Sequence, residues 1–276
     1  MEYSELIKGV RFIDLNDDDG IYIIDSMSDD LRKLIKQKLS EICYGVNKVE
    51  TGSNQFSLKN TAKEFLIRLG PINVDIDNKQ KGYLGEFLTH IILGENKNIE
   101  PLSLFFNLEE RSPKKGFDLV FRNIKNDNII IVEVKSGSRL CNQSSITQTA
   151  KALINKAKVD LTGRLLNPDD KSRLWNNALS HAISAVKNSN SEKDAILKLL
   201  ASLEAEADDN QEIVLAAGVF GHTDELIEVQ YISNLSKNLK EDELLNKICN
   251  QSSIVVIHND IYKEFYNFLV QVSKND

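Results

Sequence analysis

The chain has 276 residues, of which 41% are hydrophobic and 27% charged, fractions that are ordinary for a folded globular protein. Acidic residues outnumber basic ones 41 to 34, and the resulting net charge of -7 disfavours tight unaided binding to nucleic acid, which needs many contacts from Lys and Arg to phosphates. The three cysteines are far apart in the sequence and do not indicate a disulfide framework or a clustered zinc site, and the N-terminus lacks a signal-peptide pattern. We therefore expect a cytoplasmic protein without membrane contact.

The first part of the chain, residues 1–75, predicts an N-terminal α+β region. The apolar stretch GIYIID at 20–25 is typical of a strand, and apolar residues recur at helical spacing over 29–43 and again over 61–70. No residue pattern in this part indicates catalysis. We therefore treat it as an extension of the domain that follows.

A stronger amphipathic helix is predicted over 79–93, KQKGYLGEFLTHIIL. Its apolar face holds Tyr83, Leu84, Phe87, Leu88, Ile91 and Ile92. Glu86 falls just outside this apolar arc, beside His90, when the residues are placed at 3.6 per turn. Glu86 is thus expected on a rim, between the core and solvent.

Strands and helices alternate through the rest of the chain. Strands are predicted at 116–123, 128–137, 212–220 and 252–258, and helices from about residue 144 and at 171–187, 191–206 and 260–272. This alternation is typical of an α/β sheet covered by helices. We assign residues 76–276 to one domain, although no linker marks its boundary.

The most apolar of these strands, IIIVEVKSG, is interrupted by Glu133 and Lys135, whose side chains share one face because a strand alternates. If this strand pairs with 116–123 in a hairpin centred between Lys125 and Asn126, opposed residues have numbers that sum to 251, and Asp118 faces Glu133. Directly opposed residues have Cβ atoms roughly 4.5 to 5.5 Å apart, and two carboxylates at that separation repel each other unless a cation lies between them. The pattern predicts a Mg²⁺ or Mn²⁺ site at Asp118 and Glu133. Lys135 would orient or deprotonate a metal-bound water molecule, or stabilise the phosphate as it gains charge. The implied reaction is hydrolysis of a phosphodiester.

The order Asp118, fourteen residues, Glu133-Val134-Lys135 resembles the PD-(D/E)xK nuclease superfamily. The resemblance implies a restriction endonuclease-like mixed sheet flanked by helices. It also implies a catalytic glutamate on the preceding helix, matched by Glu86, and a polar residue on the following helix, matched by Gln148. The proline that names the motif is absent before Asp118, where Gly116 and Phe117 stand.

The succession YLGEFLTHIIL, GFDLVF and IIIVEVKSGS is similar to the HamA family over roughly residues 75–270. This family is the nuclease component of the bacterial Hachiman antiphage defence system. The resemblance implies a DNA nuclease with little sequence preference, restrained by a HamB-like helicase partner. Such a partner could supply the DNA affinity that an acidic chain lacks.

Residues 134–175 hold eight Lys or Arg against three Asp or Glu, so this stretch could line a DNA path beside the metal, with Lys151 and Lys158 on one helix face. Three alternatives stay open. Glu133 and Lys135 could form a structural ion pair at a strand end. The chain could be a non-catalytic subunit that docks a helicase, or a standalone restriction or repair endonuclease.

Overall fold

The computed structural model describes residues 4–16, 19–72, 75–106, 116–139, 145–185, 194, 196–198 and 211–274. Within these residues the fold is built on an eight-stranded mixed sheet. In spatial order the strands are β1-β2-β3-β8-β7-β6-β5-β4. The strands are β1 Ser4–Ile7, β2 Val10–Asn16, β3 Asp19–Ile24, β4 Ile99–Pro101, β5 Leu119–Asn123, β6 Ile129–Ser138, β7 Gln211–Phe220 and β8 Gln251–Asn259.

Helices cover both faces of this sheet, which confirms the predicted α/β class and mixed sheet. Within the described residues they are α1 Asp29–Tyr44, α2 Val46–Val49, α3 Leu58–Leu69, α4 Asn78–Gly94, α5 Ile146–Leu165, α6 Pro168–Ala185, α7 Val229–Lys240 and α8 Tyr262–Lys274. The helix predicted at 191–206 lies almost entirely outside the described residues. No helix in the described part of the chain is long and apolar enough to cross a membrane.

The middle of the sheet is parallel and its two ends are antiparallel. Strands β6, β7, β8 and β3 run in the same direction, and β5 and β2 flank them in the opposite direction. Central parallel strands are buried on both faces, which explains their near-continuous apolar runs such as Ile129–Val132 and Ile213–Ala217.

The sheet continues across the boundary predicted near residue 75. Strand β3 pairs in parallel with β8, from Gly20 opposite Val255 to Ile24 opposite Asn259. Helices α1 and α3 share one apolar core with α4 and α8. The N-terminal elements therefore extend the same sheet and core, while the position of a domain boundary stays a prediction.

Side chains of β6 alternate between the two cores, as the period of two requires. Ile130, Val132 and Val134 pack on the face covered by α4, whereas Ile129 and Ile131 pack on the face covered by α5. Glu133 and Lys135 follow the odd-numbered residues and therefore lie on the α5 face.

Glycines let α4 approach the carboxyl-terminal ends of β6 and β7 closely. A Cβ atom added at Gly85 or at Gly218 would clash with the side chain of Ser136. Only a residue without a Cβ allows this separation between helix and sheet. Helix α4 is fixed at its start by Asp77, which forms a capping box with Gln80.

Candidate active site

The register of the β5–β6 hairpin is the one predicted from the sequence. Opposed residues run from Leu119 with Val132 to Arg122 with Ile129, so their numbers sum to 251. The strand begins at Leu119, however, and not at residue 116 as predicted. Asp118 therefore lies one residue before β5, and continuation of the register places it beside Glu133.

Asp118 is bound to the backbone of β6 next to Glu133. Its Oδ2 atom accepts a hydrogen bond of 2.8 Å from the N–H of Val134. The preceding residue, Phe117, packs edge-on against Trp175 with 5.1 Å between ring centroids, and both side chains are buried. Trp175 is thus a core residue, and its contact helps to fix the segment that carries Asp118.

Glu133 is buried and bound by two cations. Its exposed fraction is only 1%. Atom Oε1 accepts a hydrogen bond of 2.7 Å from Lys135 Nζ, and Oε2 accepts one from Nη2 of Arg164. Compensation of its charge by two cations allows this carboxylate to remain buried.

The ammonium group of Lys135 lies between two carboxylates. Its Nζ atom is 2.7 Å from Glu133 Oε1 and 3.1 Å from Asp160 Oδ2. Burial lowers the pKa of Lys135, but the charge and hydrogen bond of Glu133, with smaller effects of Asp118 and Asp160, outweigh burial and raise it above its ordinary value. With these partners Lys135 is a hydrogen-bond donor and carries a positive charge, and its action on water or on phosphate stays a prediction.

Sequence reasoning missed Asp160 and Arg164, which approach the pair from α5. They lie four residues apart and so on the same helix face. Besides Glu133, Arg164 contacts two backbone carbonyls, donating from Nη1 to Gly116 O at 3.2 Å and from Nε to Asp160 O at 3.3 Å. Arg164 therefore joins the segment before Asp118 to the strand that carries Glu133.

Glu86 lies on α4, the helix that covers the opposite face of β6. Gly85 faces Ser136, so Glu86 is level with the carboxyl-terminal end of that strand. Its side chain is half-buried. Helix α4 thus carries Glu86 near the carboxyl-terminal end of β6, on the side of the sheet opposite α5. The catalytic role of Glu86 stays a prediction.

Gln148 and Lys151 lie at the far end of α5. Gln148 forms a capping box with Ser145, accepting from the Ser145 N–H at 3.0 Å. At about 1.5 Å per residue, Gln148 lies roughly 18 Å along the helix from Asp160. Lys151 donates to the hydroxyl of Tyr231 at 2.8 Å. The structure brings neither side chain to the Glu133–Lys135 pair, and their contact with DNA stays a prediction.

Much of the positive charge predicted along a DNA path is bound by acidic side chains. Of the eight Lys or Arg in 134–175, five contact carboxylates. The pairs are Lys135 with Glu133, Arg139 with Glu225, Lys158 with Asp242, Arg164 with Glu133 and Arg173 with Asp170. This stretch therefore attracts phosphates less strongly than its composition indicates.

The ligand atoms available at this site suit a hard cation. Asp118 and Glu133 offer carboxylate oxygens, and within the described ranges no group of three or more His, Cys, Asp or Glu side chains converges to hold a metal ion. Mg²⁺ commonly binds to one or two carboxylates and completes its shell with water and substrate phosphates, whereas structural zinc requires four Cys or His ligands. The residues present fit Mg²⁺ or Mn²⁺.

Comparison with known families agrees with the residue pattern. The HamA family model matches residues 2–274, nearly the whole chain. The chain belongs to the HamA family. The resemblance predicted from three motifs is thereby confirmed, and the match extends over the N-terminal part, where those motifs gave little support. Membership in HamA supports a role in antiphage defence. No curated protein matches the chain.

Proposed function

We propose that this HamA chain is a metal-dependent deoxyribonuclease and the effector of a Hachiman-type antiphage system. The observation that carries the proposal is the convergence of Asp118, Glu133 and Lys135 at the carboxyl-terminal part of β6. Two neighbouring carboxylates with a lysine on the same strand face suit phosphodiester hydrolysis. Membership in the HamA family supports the same conclusion.

Asp118 and Glu133 would hold the metal ion. When bound there, Mg²⁺ or Mn²⁺ would polarise the scissile phosphate and activate a water molecule. The hydrogen bond from Val134 N–H to Asp118 holds that carboxylate against β6 and so fixes its orientation. Burial of Glu133 removes competing water, which strengthens its electrostatic interactions.

Lys135 would stabilise the phosphate as its negative charge increases during attack. The ammonium group carries three donor hydrogens, and Glu133 and Asp160 occupy two directions. A third N–H can reach a non-bridging phosphate oxygen. A donor fixed in advance at the position of developing charge lowers the barrier because it needs no reorganisation.

We propose DNA as the substrate, cut with little sequence preference under control of a helicase partner. The chain has a net charge of -7, and carboxylates already bind five of the eight cations in its most basic stretch. Such a surface supplies little affinity for DNA by itself. A helicase that binds DNA and brings it to the site would supply the affinity that the chain lacks.

The test measures cleavage of supercoiled plasmid and linear DNA by the purified chain, with and without the helicase, in Mg²⁺, Mn²⁺ or EDTA. We expect cleavage that depends on both the metal and the helicase and yields a broad size distribution. Glu133→Gln and Lys135→Met should each abolish most of it.

The same assay separates the alternative functions. Discrete fragments would indicate a sequence-specific restriction enzyme. A complete lack of cleavage, despite a stable complex with the helicase, would favour a docking subunit. Cleavage at the normal rate by both variants would show that the site is elsewhere.

A further inference from the structure

Arg164 occupies an oxygen of Glu133 that a metal ion would use. Lys135 binds Oε1 of this carboxylate and Arg164 binds Oε2, so each oxygen already accepts a hydrogen bond from a cation. Each carboxylate oxygen keeps a second lone pair, so these hydrogen bonds alone do not exclude a metal ion. A divalent ion at Glu133 would, however, lie close to both positive charges, and movement of one cation away from the carboxylate would relieve that repulsion.

The surroundings of the two cations favour movement of Arg164. Lys135 is anchored a second time by a carboxylate, that of Asp160, at 3.1 Å. The other contacts of Arg164 are to neutral backbone carbonyls, at 3.2 and 3.3 Å, which bind more weakly than charged partners. Its side chain is 30% exposed and lies in the last turn of α5, so its long stem can carry the guanidinium into solvent.

The charges around Glu133 also favour movement of Arg164. Three carboxylates, from Asp118, Glu133 and Asp160, face two cations, Lys135 and Arg164. A divalent ion added to this cluster meets two positive charges that repel it. Removal of the guanidinium leaves the cluster more negative and one oxygen of Glu133 available.

We propose that Arg164 competes with the divalent metal ion for Oε2 of Glu133, and so sets the metal concentration at which the site fills. The guanidinium takes the place of the metal charge in the metal-free protein, which allows Glu133 to remain buried. It leaves the carboxylate when the metal ion arrives. This inference rests on the proposed metal-dependent function.

The experiment measures Mn²⁺ affinity by isothermal titration calorimetry and by the electron paramagnetic resonance signal of free Mn²⁺, on the full chain without DNA. We expect Arg164→Met to bind Mn²⁺ roughly tenfold more tightly than the parent, because a charge-assisted hydrogen bond no longer has to be broken. Arg164→Lys keeps the positive charge and should stay within about threefold of the parent.

Arg11 provides a matched control because it also binds a carboxylate through a guanidinium, that of Asp25 at 2.6 Å. It lies on β2, four strands from β6, or roughly 19 Å across the sheet at about 4.8 Å per strand. Arg11→Met removes the same charge and should leave Mn²⁺ affinity unchanged. If Arg164→Met does not fold, Arg164→Gln tests the same competition, with tighter binding again expected.

The outcomes separate this inference from the proposed function. Absence of Mn²⁺ binding to the parent chain, or binding that persists in Glu133→Gln, would overturn both. Binding that depends on Glu133 but is equal or weaker in Arg164→Met would overturn the competition alone, since Arg164 would then support the metal site. Tighter binding in Arg164→Met and not in Arg11→Met would establish it.

Discussion

Two buried glutamates in neighbouring strands are stabilised in different ways. Glu133 on β6 is 1% exposed and is bound by the cations of Lys135 and Arg164. Glu212 on β7 is 7% exposed and accepts hydrogen bonds from the neutral side-chain amides of Asn126 and Asn128, each at 2.9 Å, and weakly from Asn123. Both carboxylates are satisfied, but by partners of different charge.

We propose that this difference separates a metal-binding carboxylate, Glu133, from a structural one, Glu212. The amides around Glu212 come from the turn between β5 and β6, so they tie that turn to β7. The cations around Glu133 instead compensate a charge that a metal ion could compensate equally well. We therefore expect substitutions at Glu133 to affect catalysis and substitutions at Glu212 to affect stability.

The largest effect is expected for Glu133→Gln. This variant should lose metal-dependent DNA cleavage by roughly 10³-fold, because a neutral amide can neither hold the metal ion nor balance its charge. Rates of plasmid cleavage measure the loss, and circular dichroism checks that the variant is folded. Glu212→Gln is the matched control, and a comparable loss of cleavage in it would remove the distinction between the two glutamates.

Lys135→Met should reduce cleavage by roughly 10²-fold, as expected when one fixed donor to the developing phosphate charge is lost. Because Asp118 and Glu133 remain, Mn²⁺ binding should persist or become tighter. Calorimetry with Mn²⁺ and cleavage rates at saturating metal distinguish the two effects. Loss of metal binding in Lys135→Met would mean that Lys135 supports the carboxylates and does not act on the phosphate.

For Glu212→Gln we expect a lower free energy of unfolding, by about 1–3 kcal/mol, because one oxygen acceptor is replaced by an amide that faces other donors. Urea titrations followed by circular dichroism measure it. DNA cleavage by the folded variant should stay near the parental rate. Unchanged stability would show that the three asparagines do not depend on the charge of Glu212.

The smallest expected effect is the loss, at alkaline pH, of the stabilisation that the ion pairs of Lys135 provide. The pKa of Lys135 is raised in the folded chain, so its ion pairs stabilise the fold fully below the unfolded pKa of about 10.4. That contribution is lost as pH rises through the higher pKa of the folded state. The difference in unfolding free energy between parent and Lys135→Met should therefore shrink above about pH 10.4. A difference independent of pH would contradict the ion-pair assignment.

Local sequence patterns are sufficient to predict the β5–β6 hairpin and its register. Apolar residues on both sides of a short polar turn fixed its register, and the alternation of side chains placed Glu133 and Lys135 on one face. The strand start was wrong by three residues, since Gly116 to Asp118 precede the ladder. Strand β6 itself continues to Ser138, and there the N–H of Val134 donates a hydrogen bond to the side chain of Asp118, a tertiary detail that the apolar alternation does not contain.

The helix that follows β6 carries a second local signal, which has a structural meaning. The family resemblance predicts a role for Gln148 at the site, but Ser145-x-x-Gln148 is also the signature of a capping box, and the two residues form one in the structure. That local signal was available in the sequence. The approach of Asp160 and Arg164 to Glu133 was not, because it depends on how α5 docks against the sheet.

The sequence by itself determined the α/β class, the hairpin that carries Asp118 and Glu133, and the position of Glu133 and Lys135 on the same face of one strand. These features follow from the periodicity of the side chains and from pairing between neighbouring segments. Only the tertiary structure decided which cations neutralise Glu133, which lysines are bound by carboxylates, and that helix α4, which carries Glu86, covers the face opposite α5. Those contacts join residues from separate helices and strands, and their geometry is set by the packing of both layers on the sheet.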